Sequence, residues 1–404
     1  MSTQFAKVKY SLYNSDSIQA DSDDDVASES SLSNLNSKYI SRKIKFCKET
    51  KVDLETSAIT KSFDETEAAG EPAITLQQEI FLVLRDENLN QLRTYLDNLS
   101  LEACRLRINK LDANKRAPLH YASRYNLVAA TQLLIDRGAD VNIEGEDGLT
   151  PLHFAARYGY IKANKCLTEQ SAESPTDESE TVISVLIDGG AHVNCQDNYG
   201  MTPLHYAAMR GNTFATTQLL KSNKINTETS DKQEMTALHC AANYNSPEVV
   251  KLLLEGGAHP EATDENMSTP LHLAATTGSK KIIILLLNSV EEHGGHDKLR
   301  RYMNILIYVD EKNLSGYTAL HSAVMKGHLD IVKILLEKGA DVKLTFDHSS
   351  HPLHLAAVSG NVDIVKCLLQ HGAAVNCVNN FGETPLHKAA AFNACEVIDF
   401  LLQR

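Results

Sequence analysis

The chain has 404 residues, with 52 acidic and 39 basic side chains and a formal net charge of −13 at pH 7. That balance argues against a general nucleic-acid-binding protein, which normally carries a basic footprint. Eight cysteines with no C-x-x-C pair, and no secretory signal, predict a reduced, cytoplasmic protein. No apolar run reaches the length of about 18 residues that a membrane helix needs, so we expect no span in this chain.

Residues 1–76 are predicted to form a disordered tail, because polar runs with few apolar residues cannot offset the entropy lost on ordering. Residues 14–36 hold six acids and no base, whereas residues 38–51 hold six bases and one acid. Such a tail can be a tether, a phosphorylation target or an acidic decoy for a basic partner. The alternative is a solvated segment without a partner.

An ordered domain is predicted over residues 77–404, and a short phrase of the type T-P-L-H-x-A-A recurs in it eight times. Five of the seven spacings between its histidines are 33 or 34 residues, and the other two are 52 and 49. This is an internal repeat with two insertions. Residues 77–112 are predicted to be a degenerate first repeat that caps the stack. The motif histidines are His120, His153, His205, His239, His272, His321, His354 and His387.

Each repeat contains the local signals of two short helices. The N-terminal Thr can cap a helix and Pro suits its first turn. Six residues after every motif histidine stands Gly or Asn, which tolerate the left-handed conformation at a helix end. A second apolar helix and a G-A-x-V-N turn follow. The sequence therefore predicts an all-α solenoid of stacked helix-turn-helix units with projecting loops.

The period and the T-P-L-H-x-A phrase resemble those of ankyrin repeats. This resemblance implies a protein-interaction module without catalysis. In agreement, the sequence contains no G-x-S-x-G, P-loop, G-x-G-x-x-G or H-E-x-x-H motif. We therefore expect no enzyme activity, no cofactor and no nucleic-acid partner.

The first insertion lies near residues 164–182 and carries five acids together with Ser, Thr and Pro. We predict a polar loop inserted into or before the second helix of its repeat. It is either an acidic contact loop or a tolerated surface insertion.

The second insertion, near residues 288–313, has a different character. Its pattern predicts a helix that continues through EEHG, a second helical piece at DKLRRYMN and a return to a loop at DEKNLSGYT. This stretch, placed in this array, resembles the cytosolic N-terminal ankyrin region of transient receptor potential (TRPA-type) cation channels. The resemblance covers roughly residues 77–404. It implies a stimulus-coupling part of a longer protein on the cytosolic face of a membrane, and a homotetramer in that case alone.

The chain ends inside a second helix, so the last repeat is predicted to be incomplete. We expect Val397, Phe400 and Leu401 to face no neighbour. The interpretation is the front part of a longer protein, a shortened isoform or an incomplete gene model.

Histidine and cysteine patterns offer three candidate sites. The motif histidines are expected to hydrogen-bond backbone groups of adjoining loops. His293 and His296 form an H-x-x-H pair, but the intervening Gly-Gly breaks a helix, and we predict no metal site. Cys195 and Cys377 share one register and are interpreted as small filler residues rather than reactive thiols.

A protein-binding surface is predicted where the first helices end, on the concave face of the stack. The residue pairs before the Gly or Asn turns of the first four repeats are rich in Arg and Tyr, which are enriched at binding hot spots. The partner is another protein or an intrachain or intersubunit contact. The alternative is a solvated ridge without a partner. Replacing Tyr125, Tyr158 and Tyr244 together by Ala is expected to weaken partner binding without lowering the melting temperature much. The candidate residues are Arg124, Tyr125, Arg157, Tyr158, Arg210 and Tyr244, with Tyr199 and Phe381 from loop tips.

Two functions fit this sequence. The first is the cytosolic N-terminal part of a TRPA-like cation channel. The alternative is a free, soluble ankyrin-repeat adaptor.

Overall fold

A computed structural model describes residues 80, 83–84, 88–159, 181–293 and 298–404, which fall within one compact unit, Ile74–Arg404. The predicted tail, residues 164–180 of the first insertion and the His293/His296 pair as a unit therefore lie outside the described residues. In the part described, the structure is helical, with two isolated β-bridges and two 3₁₀ turns, which confirms the all-α prediction.

The helices come in pairs along the chain. The degenerate first repeat contains α1 (Leu89–Asp97) and α2 (Leu101–Ile108). The first helices of the next eight repeats are α3 (Pro118–Arg124), α5 (Pro151–Tyr158), α7 (Pro203–Arg210), α9 (Ala237–Asn243), α11 (Pro270–Thr277), α14 (Ala319–Lys326), α16 (Pro352–Ser359) and α18 (Pro385–Ala391). Their second helices are α4 (Val128–Asp136), α6 (Val182–Asp188), α8 (Thr213–Leu220), α10 (Pro247–Glu255), α12 (Lys280–His293), α15 (Leu329–Glu337), α17 (Val362–Gln370) and α19 (Cys395–Leu402), and α13 (Lys298–Val309) follows α12.

In the eight regular repeats, each first helix packs on the next first helix and each second helix packs on the next second helix, whereas α1 of the degenerate repeat packs on α4. Leu and Ala of the repeated phrase form the core between them, with Leu204, Ala207 and Ala208 of α7 buried as an example. Small Ala side chains allow close approach of neighbouring helices, and the apolar area removed from water stabilises the stack.

The motif histidines join successive repeats, as expected. In all eight repeats, Nδ1 accepts the backbone N–H of the residue three positions earlier, at 3.0–3.2 Å. In the first seven, Nε2 lies 2.8–3.1 Å from a carbonyl oxygen of the following loop. One ring thus caps its own helix and holds the next repeat.

A second link lies at the base of the loops. The Asn142 amide accepts the His192 N–H at 2.8 Å and donates to the Gly190 carbonyl at 3.1 Å. Asn109, at the end of the degenerate repeat, bonds Asp140 N–H and Gly138 carbonyl in the same way. The degenerate repeat therefore docks on the stack through the contact that the regular repeats use.

The predicted left-handed turns occur in seven of the eight repeats, for example at Asn126 (φ 55°) and Gly211 (φ 63°). Gly159 is the exception, with φ −57°. The prediction was wrong at this residue, which is the last one described before residues 160–180. The packed second helix of this repeat is α6, which begins after the insertion.

The last helix also departs from expectation. Val397 and Leu401 are buried, and Phe400 is half-buried beneath the cations of Lys366 and Arg404, at 5.7 and 5.4 Å from its ring centroid. The preceding repeat explains this result, because α17 packs along α19 and covers its apolar side.

Candidate protein-binding surface

The stack brings five predicted binding residues together at the ends of three first helices. Arg124 ends α3 and Tyr125 follows it, Arg157 and Tyr158 end α5, and Arg210 ends α7. Neighbouring first helices pack side by side, so these ends lie in a row. We call these five residues the Arg–Tyr surface.

Tyr158 is the centre of this surface. The guanidinium carbons of Arg124, Arg157 and Arg210 lie 4.7, 5.1 and 5.6 Å from the centroid of its ring. A cation within about 6 Å of an aromatic face is attracted by the ring quadrupole. One ring from one repeat therefore gathers three positive charges from three repeats.

The exposure of these residues differs from the prediction. Tyr158 and Arg157 are only 7% and 9% exposed, whereas Arg124, Tyr125 and Arg210 are half-buried. The Tyr158 ring also packs on Phe154, with centroids 6.1 Å apart. Truncating Tyr158 would remove buried apolar contacts, so the expectation that it tolerates truncation does not hold. Arg124, Tyr125 and Arg210 are the members that a partner can reach.

Sequence reasoning missed a layer of tyrosines behind this surface. The Tyr121 hydroxyl donates to Asp112 at 2.6 Å, and the Tyr206 hydroxyl donates to Asp197 at 2.7 Å. Burial, then the hydrogen bond to Asp112, raises the pKa of Tyr121 to about 12, so this phenol stays protonated. The signal was present in the sequence, because in both repeats a Tyr follows the motif histidine and an Asp precedes it by eight residues.

The three remaining candidates differ in their distance from the Arg–Tyr surface and in their exposure. Tyr244 directly follows α9, at the next position along the same row, and is half-buried. Tyr199 is half-buried in a loop, where its carbonyl accepts the Lys232 N–H at 3.0 Å. Phe381 is 66% exposed and packs on His348 in the last loop, several repeats away from Tyr158.

The two cysteines of shared register lie against motif histidines. Cys195 Sγ is 3.9 Å from His153 Nδ1, and Cys377 Sγ is 3.8 Å from His354 Nδ1. Burial raises the pKa of both thiols, that of Cys377 to about 11. A neutral thiol is a poor nucleophile, which favours the filler interpretation over reactivity.

Comparison with known proteins agrees with the repeated helix pairs of the fold. Family models for ankyrin repeats match residues 88–179, 172–264 and 257–346 in one form and residues 353–402 in another. Together these matches cover well over half of the chain. The protein therefore belongs to the ankyrin-repeat family, whose members act as protein-interaction modules.

Individual relatives fall into two groups. The mouse (Mus musculus) B-cell lymphoma 3 protein homolog is 34% identical over 178 residues, which is 43% of this chain and 36% of that protein. Human (Homo sapiens) transient receptor potential cation channel subfamily A member 1 is 25% identical over 242 residues, 57% of this chain and 18% of that protein. Human NF-kappa-B inhibitor zeta is 28% identical over 186 residues, 40% of this chain and 26% of that protein. The chain thus spans little more than a third of the length of these relatives at most. Among the residues described, no helix combines the length and the apolar character needed to cross a membrane.

Proposed function

We propose that this chain is a non-catalytic interaction module that binds an acidic protein segment through the Arg–Tyr surface. The observation that carries the proposal is the gathering of three guanidinium groups around the Tyr158 ring. Arginine pairs with carboxylates in a planar, two-pronged geometry while its flat face stacks on an aromatic ring. Stacking on Tyr158 restricts the guanidinium groups in advance, which lowers the entropy lost when a carboxylate binds.

The acidic segment can belong to another protein or to this chain. Residues 14–36 carry six acids and no base, so they are a candidate for an intrachain contact. Removal of residues 1–76 distinguishes the two sources. A rise in affinity for an added acidic peptide would point to competition from this chain's own tail.

The test reverses charge on the accessible arginines. Arg124→Glu together with Arg210→Glu places two carboxylates beside Tyr158, and like charges at an interface are strongly unfavourable. We expect at least about a tenfold loss of affinity for a fluorescein-labelled peptide of alternating Glu and Leu, measured by anisotropy. The matched control is Lys281→Glu with Lys333→Glu, which changes the net charge equally on exposed positions of the second helices. Equal loss in both double variants would reduce the effect to net charge and refute the proposed surface.

We further propose that the module is the cytosolic N-terminal part of a TRPA-like cation channel. Support comes from the alignment to the human channel, which extends over 57% of this chain, compared with 43% for the B-cell lymphoma 3 protein homolog. The long α12 and the extra α13 are a second feature in favour, since this stretch carries the resemblance. In that setting, small shifts at each repeat would add along the stack and couple a stimulus to a distant pore.

The alternative is a free cytoplasmic adaptor, which the higher identity of 34% to the B-cell lymphoma 3 protein homolog supports. Immunoblotting of native cells with an antibody against residues 385–404 distinguishes these two functions. A membrane-bound species far larger than the 44.5 kDa of this chain is the result expected for the channel. A species of this mass that remains in the soluble fraction would refute the channel assignment and favour the adaptor.

A further inference from the structure

The seventh repeated phrase differs from the others at its first residue. The helix cap at this position is Thr in six of the eight repeats and His351 in the seventh. In those six repeats, the Thr Oγ1 lies 2.8–3.0 Å from the motif histidine Nδ1. His351 offers no hydroxyl for this contact. Its own Nδ1 atom is buried and has no hydrogen-bond partner. A buried polar atom without a partner costs free energy, so its presence requires an explanation.

His351 also lies beside two other metal-binding side chains. His351, His354 and Cys377 each place one donor atom within 4.8 Å of the other two. The two imidazole rings have centroids 5.6 Å apart, and Cys377 Sγ is 3.8 Å from His354 Nδ1. Among the residues that the structure describes, this is the one cluster of three such groups at this spacing.

We propose that His351, His354 and Cys377 form a zinc-binding site with one further position open to water. Zinc favours thiolate and imidazole ligands in a tetrahedral arrangement, in which neighbouring sulfur and nitrogen ligands lie about 3.5 Å apart. The Cys377–His354 distance is already close to that value. Rotation of the half-buried His351 side chain brings the third donor in.

The surroundings of His354 favour this role. Its Nε2–H donates a hydrogen bond to the Glu383 carbonyl oxygen, at 3.0 Å. That hydrogen bond fixes the tautomer and leaves the Nδ1 lone pair on the side of Cys377, as outer contacts do for metal-bound histidines. Nδ1 accepts the His351 backbone N–H at 3.1 Å, and metal binding at Nδ1 would break this hydrogen bond. This exchange limits affinity, so we expect weaker binding than in a site with four protein ligands.

The chain contains its own comparison site. Thr150, His153 and Cys195 occupy the same three register positions in an earlier repeat. There, Cys195 Sγ lies 3.4 Å from Thr150 Oγ1 and 3.9 Å from His153 Nδ1. Both repeats have the thiol and the imidazole, but only the later repeat has a third metal-binding side chain, His351, where the earlier repeat has Thr150.

The site would connect two repeats. His351 precedes α16 as its N-cap and His354 lies in the first turn of α16, whereas Cys377 lies in the loop before α18. A ligand that binds the folded state alone raises stability by an amount that grows with the logarithm of its concentration relative to Kd. Zinc should therefore raise the melting temperature and act on the last two repeats. Cys377 and His351 are half-exposed, which gives the ion a route from solvent.

The test uses the reduced 404-residue protein and Co²⁺ as a spectroscopic substitute, followed by competition with Zn²⁺. We expect a sulfur-to-cobalt charge-transfer band that Zn²⁺ removes, and a Zn²⁺-dependent rise in melting temperature. His351→Thr and Cys377→Ser should each lower affinity by about tenfold or more. His351→Thr introduces the residue of six other repeats, so loss of binding in this variant cannot be attributed to unfolding.

A gain-of-site variant completes the design. Thr150→His places a third donor beside His153 and Cys195 and should restore a weaker sulfur-to-cobalt band in a protein that also carries Cys377→Ser. A band that persists unchanged in both His351→Thr and Cys377→Ser would show adventitious binding at other residues. If the unmodified protein shows no sulfur-to-cobalt charge-transfer band, the proposal is also overturned.

Discussion

The repeat that contains α12 and α13 and the repeat after it differ greatly in length, yet both join their neighbours at the same points. The second helix of the later repeat, α15, has 9 residues and is followed directly by the turn at Gly339. In the longer repeat, α12 has 14 residues and α13 adds 12 more. Asp310 nevertheless accepts the Asp341 N–H at 2.9 Å, as Asn142 accepts that of His192.

The longer repeat makes a further link to the repeat before it through a tyrosine side chain. In ordinary repeats, a backbone N–H such as that of His192 bonds the preceding loop. In the longer repeat, the buried Tyr308 hydroxyl donates to the Pro260 carbonyl at 2.9 Å. Ile305 and Val309 are buried beside Tyr308 on the same helix face. Neighbouring repeats thus constrain the ends and the inner face of a repeat, while the length between them can change.

The outer faces differ as well. Lys333 and Glu337 are exposed on α15, whereas the exposed side chains of α13 include Leu299, Met303 and Ile307, at 69%, 47% and 66%. These three positions are four residues apart and form an apolar stripe on one side of the helix.

Low pH should have the largest effect on the free energy of unfolding, because it protonates the motif histidines that occur in all eight repeats. Burial lowers the pKa of His120, His153, His239 and His272 from 6.5 to about 4. The unfolded chain therefore binds more protons than the folded chain in this range, so stability is complete above pH 6.5 and is lost as the pH falls towards 4. Between pH 7 and pH 5.5, we expect these four histidines to cost about 5 kcal/mol in the free energy of unfolding, measured with urea.

His239→Gln tests this account residue by residue. The variant is less stable at both pH values, but its loss between them should be smaller by about 1 kcal/mol, because one titrating group is gone. An equal pH dependence in the variant would show that groups other than the motif histidines control the acid transition.

Tyr308→Ala should break the longer repeat in particular. Removing a fully buried aromatic ring costs about 3–5 kcal/mol through lost burial and a cavity. Tyr308→Phe keeps the ring and loses only the hydrogen bond to Pro260, at about 1–2 kcal/mol. Urea unfolding monitored by circular dichroism gives both values. A cost below about 1 kcal/mol for the Ala variant would contradict the role of Tyr308 as the link to the preceding repeat.

Asp310 tests whether the longer repeat ends like the ordinary ones. Asp310→Ala leaves the Asp341 N–H without its acceptor and should cost about 1 kcal/mol. Asp310→Asn supplies the residue that stands at Asn142 and at Asn194, which accepts the Asn226 N–H at 2.9 Å, and should restore most of that loss. If Asn is as harmful as Ala, the correspondence between Asp310 and those asparagines fails.

Substitution within the exposed apolar stripe of α13 should have the smallest effect on stability. Ile307→Ser changes an exposed side chain and should alter the free energy of unfolding by no more than about 0.5 kcal/mol. Ile305→Ser, two residues earlier on the buried face, is the matched variant and should cost about 2–4 kcal/mol. Similar losses in the two variants would mean that the stripe is covered in solution.

Much of this fold could be predicted from local signals. The recurring Thr, Pro, Leu and His set the first helices, and the Gly or Asn six residues later set the turns, because each works within a few residues of chain. The same reasoning failed at Gly159, which has a right-handed φ of −57° although a glycine stands at the expected position. It also failed at Val397 and Leu401, whose cover comes from the preceding repeat rather than from the chain beyond.

The candidate sites depended more on tertiary structure. The sequence indicated that Arg and Tyr recur at the ends of the first helices, but not that Tyr158 would be buried while three guanidinium groups surround it. Likewise, the substitution at His351 is visible in the sequence, whereas its approach to Cys377, 26 positions later, is not.

Periodicity by itself determined the family, the helix pairs and the order of the repeats, since these follow from contacts within one repeat and with its nearest neighbours. Only the stacked structure decided which side chains of different repeats meet, which are buried and which remain accessible. The physical reason is that burial and ligand geometry depend on how two repeats pack, and that packing is set by side chains about 30 or more residues apart.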